Sequence, residues 1–315
     1  MANSSLLSFF ERLFFKPNLF DWVVIALLSP LSLIFGTFML LRRIITIQKN
    51  YHIPIVSIGN LTVGGSGKTP FVIELASKYK DAHIISRGYG RQSKGLVTVS
   101  HQGQILTDVF QSGDESMLMA KSLPNASVIV SENRVIAIEE AKKQGAKVIF
   151  LDDGFNRVGI KKFEILLFPE DIKNYMPFPA GAFREFFFSK QFANLNLTEN
   201  QDFQRKVTLD NPHKKMLLVT AISNPQRLKD FLPKGMVGHI YLEDHAYFDE
   251  EVLRTEMNRL GATSLLVTEK DEVKMEDFKL PLSVMRLRLQ IKNEILEKID
   301  DYIGEYKVSI TSPNP

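Results

Sequence analysis

Thr62-Val63-Gly64-Gly65-Ser66-Gly67-Lys68-Thr69 is a stretch whose chemistry is phosphate binding. Glycines let the backbone turn its N–H groups toward one anion, a lysine brings a mobile positive charge, and a threonine hydroxyl offers a hard oxygen to Mg²⁺. Residues 62–67 would form the cradle, Lys68 would reach the β- and γ-phosphates, and Thr69 would ligate the metal. The general pattern has glycine where Thr62 stands, but Gly64 and Gly65 can supply left-handed backbone angles one step later. A nucleotide is the natural guest. The bland alternative is a glycine-rich turn that binds nothing.

Val148-Ile149-Phe150-Leu151-Asp152-Asp153 is an apolar run ending in two carboxylates, where a phosphate-loop enzyme places acidic groups near Mg²⁺. Parallel sheets bind ligands at the carboxyl ends of their strands, so Asp152 and Asp153 should converge on the loop. Alone, such a pair is more often a cap or a solvated turn. Asp114, in Gly113-Asp114-Glu115, reads either as a helix cap or as a base toward a substrate hydroxyl. His245 suits proton work near neutral pH, although a lone histidine is more often structural. Arg87 and Arg91, in Ser86-Arg87-Gly88-Tyr89-Gly90-Arg91, are candidates for phosphates or an anionic substrate, or a surface turn. Arg184 and Glu185 sit in a proline-rich stretch and invite the same caution.

Such side chains need a frame. The apolar run Ile53 to Ile58 before the loop and the amphipathic stretch from Phe71 after it predict strand, loop, helix. Short apolar runs at Ala82 to Ser86, Ser127 to Val130 and Val148 to Leu151 alternate with helical stretches near Ser116 to Lys121 and Glu132 to Gln144, which argues for a parallel sheet covered on both faces. Leu96 to Ser100 and Gln104 to Thr107 look like a hairpin. Residues 169–191 are rich in turn formers and too long for a plain connector. A second alternating set follows: strands at 216–220, 237–242, 264–268 and 284–289, with helices at 225–231, 249–260 and 294–305. The expected architecture is α/β, with an N-terminal helical segment over 1–50, a phosphate-loop domain over 51–190, and a smaller α/β domain over 191–315 whose last helix packs back on the first domain.

The chain has 315 residues, 39 basic against 36 acidic, and a formal charge of +3, too balanced to point to nucleic acid. It has no cysteine, so disulfides and thiolate chemistry are excluded. From Trp22 to Leu41 no residue is charged, a length that matches a bilayer-spanning helix. Arg42, Arg43 and Lys49 follow, favouring a cytoplasmic flank on the side of the loop, where ATP is available. A secretory signal fits poorly, because arginines occupy the place of a cleavage site. Three outcomes stay open: a helix that spans the bilayer, a helix broken at Ser29-Pro30 or Gly36 that lies in it, or a buried helical hairpin.

Taken in order, these segments resemble the tetraacyldisaccharide 4′-kinases, the lipid A 4′-kinases of Gram-negative bacteria. The resemblance rests on Leu-Ser-Pro-Leu-Ser-Leu-Ile-Phe-Gly in the apolar run, Gly59-Asn60-Leu61 leading through the loop to Pro70, Ser86-Arg87-Gly88-Tyr89-Gly90, Gly113-Asp114-Glu115, Asp152-Asp153-Gly154-Phe155, Pro179-Ala180-Gly181 with Arg184-Glu185, Asp244-His245, and Thr268-Glu269-Lys270-Asp271. It implies a phosphate-loop fold and transfer of the ATP γ-phosphate, with Mg²⁺, to the 4′-hydroxyl of an acylated glucosamine disaccharide 1-phosphate, by a monomer at the cytoplasmic face of the inner membrane. It further implies that Asp114 is the base, His245 its partner, and Asn60, Arg87, Arg184 and Glu185 substrate-side residues. Two positions depart from the family: Asn156-Arg157 stands where Gln-His is usual, and Ala246 where a second histidine is common. Arg157 stays charged and cannot accept a proton, though it could bind phosphate. The rivals are a membrane-associated ATPase or GTPase switch and a non-catalytic nucleotide-binding adaptor, but no Asn-Lys-x-Asp guanine-reading segment is present.

Overall fold

The computed structural model describes residues 2–63 and 67–311. Two helices come first, α1 (Ala2–Phe15) and α2 (Asp21–Ile45). Their junction is pinned at Asp21, whose carboxylate takes two Arg12 donors at 2.9 Å and the Asn18 amide at 2.9 Å. α2 runs unbroken through Pro30, so the broken-helix expectation is corrected. The physical reason lies one residue earlier. Proline cannot donate to the carbonyl four residues back, and the Ser29 hydroxyl donates to that Ala26 carbonyl instead, at 2.8 Å.

The larger sheet contains β1 (Ile55–Gly59), β2 (Ala82–Ser86), β3 (Val97–His101), β4 (Gln104–Ile105), β5 (Ser127–Val130), β6 (Val148–Asp152), β7 (Phe163–Phe168) and β8 (Leu195–Thr198), in the order β4-β3-β5-β2-β6-β1-β7-β8. The pairs β1 with β7, β7 with β8 and β2 with β5 are parallel, whereas β3 runs antiparallel to both β4 and β5, as the hairpin expectation required. β1, β2, β5 and β6 are buried along their whole length, the signature of a parallel sheet covered on both faces. Helices α3 (Lys68–Ala76), α4 (Val109–Ser112), α5 (Asp114–Ser122) and α6 (Arg134–Lys143) connect these strands.

A second sheet holds β9 (Phe203–Asp210), β10 (Met216–Thr220), β11 (Met236–Tyr241), β12 (Ser264–Thr268) and β13 (Leu282–Ile291), in the order β11-β10-β12-β13-β9. With it come α7 (Glu250–Leu260), α8 (Glu269–Glu272) and the last helix, α9 (Asn293–Thr311). The α/β expectation holds. Residues 225–231 form a 3₁₀ rather than an α-helix, as do 187–192 in the proline-rich stretch. β7, β8 and β9 were not anticipated.

The chain forms two compact units. One takes residues up to Lys68, Leu151–Phe203 and the chain from Lys292; the other takes Thr69–Phe150 and Gln204–Ile291. In the first, Leu61, Phe155, Leu166, Phe168 and Phe183 make a buried cluster. α1 and α2 contribute to a separate cluster of the same unit, made of Leu13, Ile25 and Ala180. Ser32 on α2 accepts from the Ala180 amide at 2.9 Å, and a Cβ at Gly36 would lie 2.6 Å from the Phe186 ring. The other face of α2 is open: Leu27, Leu31, Ile34 and Phe38 are 56 to 75% exposed. A buried hairpin is therefore not what the helix forms. In the second unit, Leu217, Val219, Leu265 and Val267 anchor one core cluster and Met216, Leu218, Leu266 and Met285 another.

Candidate active site

The first unit carries one cluster of candidate residues. Gly64, Gly65 and Ser66 lie outside the described residues, but the two ends of their loop are defined. On the entering side, the Val63 amide donates to Ala182 O at 2.9 Å and the Arg184 amide to Leu61 O at 2.7 Å, so Thr62 pairs with the Phe183 segment like a strand. On the leaving side, Gly67 has φ +80° and Lys68 opens α3. Pro70 falls in the first turn of that helix, where a missing N–H costs nothing. Thr69 follows Lys68 in the same turn.

Lys68 Nζ donates to Asn60 Oδ1 at 3.1 Å and lies 3.8 Å from Asp153 Oδ1. Arg184 donates to both Asp153 oxygens, at 3.1 and 2.9 Å. Two cations therefore face one carboxylate, leaving a net positive and partly exposed corner suited to phosphate. Asp152 closes β6 and is buried, while Asp153 takes a left-handed φ of +51°, a conformation a non-glycine residue holds only where its surroundings enforce it. Asn60, Lys68, Asp153 and Arg184 thus come together. Glu185 does not join them: it is buried and its carboxylate takes both Arg43 donors. The arginines after the apolar run are accordingly engaged with protein rather than free for lipid headgroups. Arg157, one of the departures from the resemblance noted above, is half-buried just past the turn at Phe155 and Asn156.

The second unit carries another cluster, centred on Asp114 and His245. Gly113, with φ +82°, occupies the cap position of α5, and Asp114 is the first helical residue, so the cap reading of Asp114 is corrected. Backbone sterics enforce the glycine, because a Cβ there would sit 2.6 Å from Tyr89 O. His245 Nδ1 lies 2.9 Å from each Asp114 oxygen. Since a carboxylate only accepts, that nitrogen bears the proton. Nε2 lies 3.5 Å from Asp244 Oδ2. His245 also has a left-handed φ, +64°, fixed by its amide donating to Ala221 O at 3.0 Å, and its ring packs 4.9 Å from Tyr89.

Two lysines complete this cluster. Lys274 Nζ lies 3.6 Å and Lys270 Nζ 3.8 Å from Asp114 Oδ2, and Lys270 also faces Glu115 at 3.3 Å and Asp244 at 3.4 Å. Burial alone would raise the Asp114 carboxyl, but the His245 hydrogen bond and the charges of Lys270 and Lys274 outweigh it and hold Asp114 below its ordinary range. Burial disfavours the charged Lys270, yet Glu115, Asp114 and Asp244 together push it up. Sequence reasoning quoted Thr268-Glu269-Lys270-Asp271 without assigning it work, and it missed Lys274. The available signal was slight, since Lys270 lies in α8 and Lys274 in the turn that follows it. The rest of that motif is structural: Asp271 accepts from the Thr220 and Thr268 hydroxyls at 2.6 and 2.8 Å, and Glu269 pairs with Arg288.

Arg87 is exposed on the loop after β2. Arg91 is not a phosphate group, a correction to the expectation: its guanidinium is buried, donating to Glu132 Oε1 at 2.5 Å and Gly95 O at 2.6 Å. Among the described residues no group of three or more His, Asp and Glu side chains forms a metal site.

A family model described as Tetraacyldisaccharide-1-P 4′-kinase matches residues 24–211 and 189–304. The tetraacyldisaccharide 4′-kinase of Helicobacter acinonychis (strain Sheeba) is 49% identical over 300 residues, covering 95% of this chain and 96% of that one. The protein of the same name from Aliarcobacter butzleri (strain RM4018) is 44% identical over 308 residues, 94% of this chain and 97% of its own. A crystal structure of LpxK from Aquifex aeolicus in complex with ATP is similar with a TM-score of 0.74 and 27% identity, over 89% of this chain and 99% of that one.

Proposed function

Because the chain belongs to the tetraacyldisaccharide-1-P 4′-kinase family, we propose that it transfers the γ-phosphate of ATP to the 4′-hydroxyl of an acylated glucosamine disaccharide 1-phosphate. The observation that carries the chemistry is the Asp114–His245 pair. Asp114 is ionised, held by His245 at 2.9 Å and flanked by two ammonium groups, so it accepts the hydroxyl proton while His245 fixes its orientation. Lys68 binds the phosphates and, with Arg184, offsets charge that builds on the transferred group. Bound Mg²⁺ would neutralise phosphate oxygens, and the donors assigned to it are the Thr69 hydroxyl and the Asp152 and Asp153 carboxylates. That set fits the metal: all are hard oxygens, and Mg²⁺ keeps its remaining positions for phosphate and water. Asn60 and Arg87 are assigned to the substrate side, whereas Glu185, buried against Arg43, is left out of it.

The reading extends to location. α2 is long and apolar enough to cross a membrane, yet only 17% of its most apolar window is buried. Its open face is assigned to the bilayer on the cytoplasmic side, where it keeps a monomeric enzyme beside a substrate that leaves lipid at a cost of about 0.8 kcal/mol per CH₂. The experiment is direct. Purified protein is incubated with Mg²⁺, γ-labelled ATP and the acylated disaccharide 1-phosphate, and the lipid is examined for label. Wild type labels the lipid, and Asp114→Ala does not while still binding ATP. A nucleotide-dependent switch or an adaptor would label no lipid in either protein.

A further inference from the structure

We infer that Arg43 is a positioning residue for the phosphate corner, joining the apolar helix α2 to Lys68 as one mechanical piece; the inference rests on the reading that Lys68 and Asp153 serve MgATP. A pair of arginines in the last turn of an apolar helix would ordinarily snorkel to water or headgroups. Here both turn inward. Arg43 is 6% exposed and its fork grips Glu185, Nε to Oε2 at 2.9 Å and Nη2 to Oε1 at 2.7 Å. Nη2 also donates to Phe155 O at 3.0 Å, and the guanidinium lies 3.9 Å from the Phe155 ring centroid. Arg42 donates to the next carbonyl, Asn156 O, at 2.6 Å.

Those two carbonyls belong to the turn that presents Asp153. The turn has no slack elsewhere. A Cβ on Gly154 would lie 2.6 Å from Ser57 Oγ and 2.8 Å from Leu151 Cβ, and one on Gly59 would lie 2.8 Å from Phe155 Cβ. β1 therefore supports the turn from one side and Arg43 holds it from the other. From there the contacts run in sequence: Arg43 to Glu185, its neighbour Arg184 to Asp153, and Asp153 to Lys68. Adjacent residues Arg184 and Glu185 thus form a two-sided clamp, one side on the acidic turn and one on the membrane-side helix.

A buried ion pair is a poor way to gain stability, since apolar residues of similar volume commonly serve as well. What a fork adds is direction, and lysine cannot reproduce it. A second buried pair, Lys162 with Glu164 at 2.6 Å, adds one charge of each sign, and both Arg43 and Glu185 act on Lys162 electrostatically. The cluster is balanced with Arg43 in place and carries an uncompensated carboxylate without it.

The test uses the full chain with Arg43→Lys, Arg43→Gln and Glu185→Gln, and Lys68→Ala as the reference for loss of the phosphate corner. MgATP binding is measured by calorimetry, KM is measured separately for ATP and lipid, and binding to phosphatidylethanolamine–phosphatidylglycerol vesicles is measured by sedimentation. The expected result is a KM for ATP raised on the order of tenfold in all three variants, Arg43→Lys included, with KM for lipid and vesicle binding within about twofold of wild type. Folded variants whose KM for ATP is unchanged overturn the inference, as does a rise confined to KM for the lipid. If one variant fails to melt cooperatively, the other two decide by the same split. Unchanged MgATP binding in Lys68→Ala would instead overturn the nucleotide-site reading itself, and this inference with it.

Discussion

Replacing Lys274 by methionine removes a buried charge while keeping most of the side-chain volume. Its Nζ lies 3.6 Å from Asp114 Oδ2. With an effective dielectric constant near 20, that pair interacts by about 5 kcal/mol at most. The realised change is smaller, because Lys274 also serves Asp271 at 3.3 Å, while His245 and Lys270 remain beside Asp114. An upward shift of the Asp114 carboxyl is expected. The sign follows from what is left: burial raises Asp114 in the variant as in wild type, and one of the opposing charges is gone. The wild-type contribution of Asp114 to stability is present above its unfolded pKa and lost as pH falls through its depressed folded value, and the variant loses it at higher pH. Catalysis through ionised Asp114 tracks the same change. The assay is kcat/KM for lipid phosphorylation against pH, on protein whose cooperative melt is retained. An acidic limb that stays in place, or moves to lower pH, refutes the electrostatic role of Lys274. Lys270→Gln provides a second, more exposed probe in the same direction.

Two further outcomes follow from packing. Gly113→Ala places a Cβ 2.6 Å from Tyr89 O in a left-handed conformation, and is expected to cost about 1 to 3 kcal/mol in a thermal or denaturant melt and to lower kcat, since Asp114 is the next residue. Replacing Leu27, Leu31 and Phe38 together by serine removes apolar groups that are 75, 56 and 64% exposed, so the melt should be little changed. Vesicle sedimentation should fall steeply, because each fully inserted side chain of this size contributes roughly 1.5 to 3 kcal/mol.

Sequence periodicity located β2, β5, β10 and β12 at their observed bounds, because each is a short apolar run flanked by polar turns. It missed β7 for a definable reason. Glu164 interrupts Phe163–Phe168, and only the folded chain reveals that Lys162 compensates the buried carboxylate. That carboxyl is raised by burial, with Lys162 opposing the rise. Pro30 posed a similar problem: the residue that signals a break is visible, whereas the Ser29 hydroxyl that satisfies the orphaned carbonyl depends on a rotamer. The loop, Asp114, His245 and the acidic pair were legible as types of residue in suggestive places. Lys274 was not, since a lysine in the turn after a short helix looks like any solvated charge until Asp114 arrives from a distant part of the chain. Arg43 was legible only as a flanking charge, and its inward turn depends on a carboxylate that one sequence cannot pair with it.

The segmented make-up of the first unit bears on how the protein is made. The Tyr302 hydroxyl on α9 donates to Ile55 O at 3.2 Å and accepts from Ile55 N at 3.4 Å, across 247 residues of sequence, and its ring lies 4.9 Å from Phe163. A ribosome releases β1 well before α9. The strand that leads into the phosphate loop therefore lacks this clasp until the 247 residues up to Tyr302 have followed it, and closing so long a connection is entropically late. α2, a strongly apolar segment, emerges ahead of β1. On the membrane reading proposed above, lipid engagement precedes completion of the ATP corner, so a nascent chain reaches its bilayer before it is able to use nucleotide.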